Sequence, residues 1–261
     1  MRTARARGAL AAALTLALSL AGCGDGGDGG GAGGSAGTGT VTVFAAASLT
    51  ESFTRIGHDF EAAHPGTIVV FNFAGSSALA TQINQGAPAD VFASAAPATM
   101  ATVTGAGNAD GAPTTFVRNQ LVIAVAKENP KGVGGLADLT RPGVTVALCA
   151  PQVPCGGAAR TALDAAGVTL TPVTLEQDVR GALAKVRLGE VDAALVYRTD
   201  ARAAAADVTG IEFPESARAV NDYPIAVLKD ASNPAGGRAF VDHVRSDAGR
   251  AVLTQAGFQS P

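Results

Sequence analysis

Alternating strand and helix signals predict an α/β protein built on doubly wound sheets, with helices on both faces. Three observations carry that reading. From Val41 onward, short runs of β-branched and aromatic residues alternate with segments whose apolar residues recur at helical spacing. The order strand, small residues, serine, helix occurs twice, over residues 41–63 and 67–86. A second series of strands and helices follows from Thr115, and 261 residues suffice for one large domain or two smaller ones.

The chain opens on what reads as a leader, residues 1–22. Arg2, Arg5 and Arg7 form a basic start, and an apolar run over 9–20 is too short for a comfortable membrane span. Leu20-Ala21-Gly22-Cys23 closes it and is similar to the bacterial lipoprotein box, in which cleavage leaves Cys23 as the lipid-modified first residue. An ordinary secretory signal with an incidental cysteine is the alternative. Residues 23–40 are nearly all Gly, Ala, Ser, Thr and Asp and read as a flexible tether, since they cannot bury a core. Together these place the folded part outside the membrane, held to its surface.

The folded part begins with a strand over 41–44 and a helix from about Leu49 to Ala63. Leu49, Phe53, Ile56 and Phe60 form the helix's apolar face, and His64-Pro65-Gly66 stops it. Ser48 and Glu51 have the spacing of a capping box. A strand over 67–73 runs into Ala74-Gly75-Ser76-Ser77 and a helix carrying Leu79 and Ile83. Residues 90–93 form a short strand, and Pro97 opens another helix. Residues 115–126 are β-rich, 136–139 a helical turn, and 144–148 a strand ending at Cys149. A helix is predicted from about Gly156, a strand over 168–175, and a helix capped by Asp178. Residues 191–197 read as a buried strand, 208–213 as a short edge strand, and 223–228 as a last apolar strand. Asn233-Pro234 starts the first of two closing helices.

Composition narrows the function. The formal charge is −3, and loss of the three leader arginines takes it to −6. With no basic patch, nucleic-acid binding is excluded. The histidines (His58, His64, His243) have no metal-ligand spacing. Cys149 and Cys155, six residues apart, fit a structural disulfide in an exported chain better than a metal or redox pair.

Four helix starts stand out, at Ser48, Ser76, Cys155/Gly156 and Val179. A helix N-terminus carries unpaired N–H groups and the positive end of the helix dipole, which suits an anion. In open α/β sheets ligands sit beyond the strands' C-terminal ends. Two of the starts fall in each half, so a cleft between two units would point all four at one ligand. Plain helix caps at both serines, a core role for Val179 and a packed strand-end Tyr197 are the alternatives.

Phe44-Ala45-Ala46-Ala47-Ser48-Leu49, Phe73-Ala74-Gly75-Ser76-Ser77, Gly86-Ala87-Pro88-Ala89-Asp90-Val91-Phe92, Val153-Pro154-Cys155-Gly156, Asp178-Val179-Arg180-Gly181-Ala182-Leu183 and Val196-Tyr197 occur in this order. In them the chain resembles the molybdate-binding lipoprotein or periplasmic components of ABC importers. The resemblance implies a type II periplasmic-binding-protein fold, with lobe 1 over 41–118 plus 223–261 and lobe 2 over 119–222. Two crossover strands, near 115–121 and 221–225, would join the lobes. It implies an oxyanion site made of the hydroxyls and N–H groups of Ser48 and Ser76, the N–H groups of Cys155 and Val179, and the Tyr197 hydroxyl. The implied ligand is molybdate or tungstate, held through its oxygens with no direct metal ligand and no cofactor. The implied partner of this monomer is an ABC permease.

Cys155 departs from the alanine the family often has there; only its N–H is needed, and a bond to Cys149 would fix the loop. A permanent dianion offers only acceptors, so donors without a carboxylate suit it, whereas a protonated oxyanion such as hydrogen phosphate also asks for an acceptor. Another oxyanion such as sulfate is the first alternative. A membrane-anchored serine hydrolase is remote, because neither serine lies in Gly-x-Ser-x-Gly or beside a base. Arg180, beside the site, reads as a solvated helix-start arginine.

Overall fold

The computed structural model describes residues 38–261. The leader, Cys23 and nearly all of the tether lie outside the described residues. No helix among the described residues is long and apolar enough to cross a membrane.

Two five-stranded mixed sheets organise the chain. The first takes β1 (Gly39–Ala46), β2 (Thr67–Ala74), β3 (Val91–Ala93), β4 (Thr114–Asn119) and β10 (Asn221–Val227), in the order β2-β1-β3-β10-β4. The second takes β5 (Leu121–Ala126), β6 (Val146–Cys149), β7 (Thr174–Glu176), β8 (Ala193–Tyr197) and β9 (Val208–Ile211), in the order β7-β6-β8-β5-β9. In each sheet three strands run parallel, with the earliest of the three in the middle: β1 pairs with β2 and β3, and β6 with β7 and β8. The chain therefore reverses its winding direction at the ends of β1 and β6, where α/β sheets open a crevice.

Helices cover the first sheet on both faces because its strands are apolar on both sides. Val43 and Ala45 of β1 face α1 (Thr50–Ala63), α7 (Pro234–Arg245) and α8 (Asp247–Ala256), joining a core with Phe53, Phe60, Phe116 and Phe240. Phe44 points the other way, toward α2 (Ser76–Asn84) and α3 (Pro97–Gly105), into a cluster with Leu79, Phe92 and Met100. The second sheet packs in one cluster with α4 (Pro154–Ala166), α5 (Val179–Arg187) and α6 (Arg198–Ala203), around Ile123, Leu148, Leu195 and Val196. Two buried or half-buried carboxylates tie the sheets internally. Asp90 accepts the N–H groups of Thr42 (2.7 Å) and Asn233 (2.7 Å), and Asp192 accepts the N–H and hydroxyl of Thr145 (both 2.8 Å).

Several boundaries differ from expectation. β1 starts at Gly39 because its pairing with β2 begins at Gly39 opposite Thr67. The β-rich run at 115–126 is two strands in different sheets, broken at Gln120, so the first crossing is a single residue. The return passage precedes β10, which lies wholly in the first sheet. The strand expected over 168–175 shrinks to Thr174–Glu176, because Pro172 has no N–H for the ladder. α4 starts at Pro154, two residues early, with the proline at a first-turn position that needs no donor.

Candidate functional site

A cavity lies where the C-terminal ends of the parallel strands of both sheets meet. Residues 46–48 enter it after β1, Gly75 and Ser76 after β2, and Ala95 after β3. Residues 153–155 line it after β6, Asp178 and Val179 after β7, and Tyr197 at the end of β8. All five positions expected from the sequence thus line it, from two sheets and five strand ends, with Ala95 added from a sixth. The space open to atom centres is ≈ 20 Å³, equivalent to a sphere of about 1.7 Å radius. One water needs ~10–15 Å³ on that scale, so the cavity has room for a compact ion and none for a sugar.

Local structure explains why donors face it. Ser76 and Val179 are the first residues of α2 and α5, and Cys155 is the second of α4, so their N–H groups fall among those a helix cannot satisfy itself. Ser48 lies in a 3-10 turn, Ala47–Leu49, between β1 and α1. None of these four N–H groups donates to a partner among the described residues. Asp178 caps α5 as expected, but its Oδ1 takes the N–H groups of Arg180 (2.9 Å) and Gly181 (3.0 Å), leaving that of Val179. The same bonds engage one oxygen of Asp178, the acidic residue on the lining.

Three hydroxyls complete the set. The Ser76 hydroxyl accepts the Ala95 N–H at 3.0 Å. The Tyr197 hydroxyl accepts from the Asn221 side-chain amide at 3.0 Å. Ser48 Oγ lies 2.9 Å from the Tyr223 hydroxyl. Burial pushes Tyr197 and Tyr223 above the usual tyrosine range, so both keep their hydrogens at any physiological pH. Below Tyr197, Asp200 is buried and accepts the Tyr197 N–H at 3.1 Å. Burial pushes its pKa up to about 8 against the pull of that N–H, so at neutral pH it holds a proton and sets no full charge near the site.

The cysteine loop is closed as expected: Cys149 and Cys155 form a disulfide with Cα atoms 5.7 Å apart. Ala150 then bends tightly over α4, where a Cβ on Gly156 would meet the Ala150 carbonyl oxygen at 1.9 Å. Only glycine fits there, which holds the Cys155 N–H on the lining.

Two sequence readings are corrected. Ser48 and Glu51 form no capping box, since α1 has no side-chain cap and the Ser48 hydroxyl is turned to Tyr223. Glu51 instead pairs with Arg180 across the cleft, so Arg180 is neither merely solvated nor aimed at the cavity. The cleft is closed elsewhere too: Ser77 Oγ donates to the Gln152 carbonyl at 2.9 Å, and Gly75 packs on the Gln177 carbonyl. Sequence reading missed Asn221, Tyr223 and Asp200. Their polar type inside apolar strands, or directly after one, was the available signal.

A profile of the bacterial extracellular solute-binding proteins matches residues 41–259. The "Molybdate-binding protein ModA" of Mycobacterium bovis is 53% identical over 218 residues, covering 84% of each chain. Among solved structures, the Azotobacter vinelandii periplasmic molybdate-binding protein superposes with a TM-score of 0.74 at 21% identity, over 85% of this chain and 99% of that one. The sulfate-binding protein SubI of Mycobacterium tuberculosis does so with a TM-score of 0.71 at 19% identity, over 85% and 86%. At such identities these two likenesses speak to the fold alone.

Proposed function

The chain belongs to the bacterial extracellular solute-binding proteins, in the branch of the molybdate-binding relatives, and from that premise we propose that it captures molybdate between its two sheets and delivers it to an ABC permease. One observation carries the reading. A small cavity between the sheets is surrounded by three hydroxyls and four N–H groups that meet no partner among the described residues, and Asp178, the acidic residue on its lining, turns one carboxylate oxygen to the start of α5. Donors on rigid helix starts hold a dianion without a buried counter-charge and need no reorganisation when it binds. Tungstate has the same shape and charge and binds in the same way.

In this reading Ser48 and Ser76 hold the ion from one lobe, and Cys155, Val179 and Tyr197 from the other. The lobes follow the two sheets, 41–119 with 221–261, and 121–220. They open about Gln120 and the passage before β10, and closure completes the site. Site completeness within one chain supports a monomer. The protein acts by binding alone: the two serine hydroxyls are engaged by Tyr223 and the Ala95 N–H, and among the described residues neither meets a histidine. Cys23 carries the lipid that tethers it to the membrane.

Thermal unfolding at equal ionic strength tests the proposal. Molybdate and tungstate raise the melting temperature, and sulfate and phosphate raise it much less. A folded sample with no molybdate shift, or with a larger sulfate shift, refutes it.

A further inference from the structure

Gln120 is the single residue of the first crossing, between β4 in one sheet and β5 in the other. Its side chain is held from both lobes. Its Nε2 donates to Ser216 Oγ at 3.1 Å, in the segment that leads to the second crossing. Its Oε1 accepts from Gln259 Nε2 at 2.7 Å, in the segment after α8. The Ser216 hydroxyl gives its one hydrogen to the Phe213 carbonyl oxygen at 2.7 Å, so toward Gln120 it can only accept. Gln120 must therefore turn its NH2 group to Ser216 and its oxygen to Gln259, and Gln259 must donate.

The segment that carries Gln259 belongs to lobe 1. The Gln259 N–H and carbonyl exchange bonds with Arg118 of β4, at 2.9 and 2.8 Å. Phe258 is buried and meets the Tyr223 ring edge-on with centroids 5.5 Å apart, and the Tyr223 hydroxyl lies against Ser48 Oγ. Lobe 2 touches the segment as well. Arg202 of α6 lies so close to Gly257 that a Cβ there would stand 2.8 Å from its Cδ. Residues 257–259 thus connect the pivot, the second lobe and a partner of the site. All these contacts belong to a shut cleft, held by Glu51 with Arg180 and by Ser77 with Gln152.

We infer that Gln120 and Gln259 are positioning residues that form a latch across the hinge, so that the segment after α8 sets how long the ligand is held. One planar amide spans a fixed gap between Ser216 of lobe 2 and Gln259 of lobe 1. Rotation of the lobes changes that gap and breaks one of the two bonds. A bond made only in the closed form slows escape of the ligand and leaves its capture by the open form unchanged. The inference rests on the molybdate reading above.

Release of isotope-labelled molybdate from the full chain into excess unlabelled ion gives the dissociation rate, and calorimetry gives the affinity. Gln259→Ala raises the dissociation rate about two- to tenfold, the effect of one ordinary hydrogen bond, and weakens affinity in the same proportion. Gln259→Glu, of the same shape but without the donor, behaves as alanine does. In a Gln120→Ala background neither substitution has a further effect. Gln255→Ala, which breaks a 3.0 Å bond to Arg55 within lobe 1, leaves dissociation as in wild type. Melting curves separate a latch from a structural role: both Gln259 variants melt lower than wild type in saturating molybdate and as wild type without it. An unchanged dissociation rate, an equal fall in both melting temperatures, or an equal cost of Gln259→Ala in both backgrounds overturns the inference. Failure of the wild-type chain to bind molybdate overturns instead the reading on which it rests.

Discussion

Gly75→Ala separates closure of the cleft from stability of the fold. Gly75 precedes α2 with φ −57° and ψ 131°, a conformation any residue adopts, so alanine causes no backbone strain. Its Cβ, however, would lie 2.4 Å from the Gln177 carbonyl oxygen and 3.4 Å from the Asp178 Cβ, both on the opposite lobe. Real Cβ atoms essentially never approach within 3.0 Å, so the 177–179 segment must withdraw by at least 0.6 Å. That segment carries the Val179 N–H. A displacement of this size takes a hydrogen bond of ordinary length, ~2.9 Å, to its outer limit. Hydrogen bonds to charged groups contribute ~1.5–3 kcal/mol, so losing this one weakens molybdate binding by ~10- to 100-fold. Opening the cleft relieves the clash, so the melting temperature without ligand stays as in wild type. Calorimetry gives the affinity, and small-angle scattering shows whether molybdate still compacts the protein. Gly157→Ala is the control, a neighbouring helical glycine with nothing within 4 Å of its added Cβ. Wild-type affinity in Gly75→Ala refutes the argument, as does an equal loss in Gly157→Ala.

Asp200 makes stability depend on pH. Its folded pKa of about 8 lies above the ordinary aspartate value of 3.8, so the native state keeps a proton that the unfolded chain has released, and stability falls with rising pH across that window by at most ~1.4 kcal/mol per unit. Chemical denaturation from pH 5 to 9 shows this slope in wild type and a flatter one in Asp200→Asn; parallel slopes sink the assignment. Ionisation above pH 8 also sets a charge near the bound dianion, so molybdate affinity drops there in wild type and not in Asp200→Asn. Reducing the Cys149–Cys155 disulfide costs ~2–3 kcal/mol by the loop-entropy estimate, or ~5–10 °C in melting temperature, and loosens the Cys155 N–H. Affinity then falls about tenfold by calorimetry; unchanged affinity would mean that the bond only staples the loop. Arg180→Ala breaks an exposed pair with Glu51, and such pairs contribute ~0.2–1 kcal/mol, so the molybdate off-rate rises only about two- to fivefold. A rise of a hundredfold would show that Arg180 touches the ligand.

What the sequence revealed follows from how locally each feature is encoded. The strands and helices of both sheets were legible because apolar alternation is a short-range pattern, and several helix starts were legible because Ser76, Pro97 and Asp178 announce them. Helix α6 escaped notice because Arg198–Ala203 is short and mostly polar, with no apolar period to read. The start of β7 lies later than the sequence suggests because Pro172 outweighs Val168 and Leu170. The donors on the cavity were placed because each follows a strand end. Their partners were not, since Ser48 finds Tyr223 across 175 residues and Ala95 finds Asn221 across 126. No local pattern encodes such a pair; only the return of β10 into the first sheet creates it. The capping box failed for the same reason, because Tyr223 and Arg180 offered Ser48 and Glu51 partners that the local sequence does not contain.

The charges around the cavity show why it can both capture and release. Arg180 is the cation poised at the cleft mouth, yet it is held by Glu51 and gives the pair no net charge to offer an anion. Asp200 is neutral below about pH 8, and Asp178 is directed at the start of α5. Attraction for a dianion therefore comes from N–H and O–H dipoles alone. These act over hydrogen-bond distance and lose their hold once the lobes part. A buried lysine or arginine would attract from farther away, but it would keep its charge and its grip on the ligand when the cleft opened. In the proposed site, four donor groups on Ser48 and Ser76 face three on Cys155, Val179 and Tyr197, so opening would remove three or four of the seven contacts in one movement. A permease that separates the lobes thus frees the ion without competing with a fixed charge.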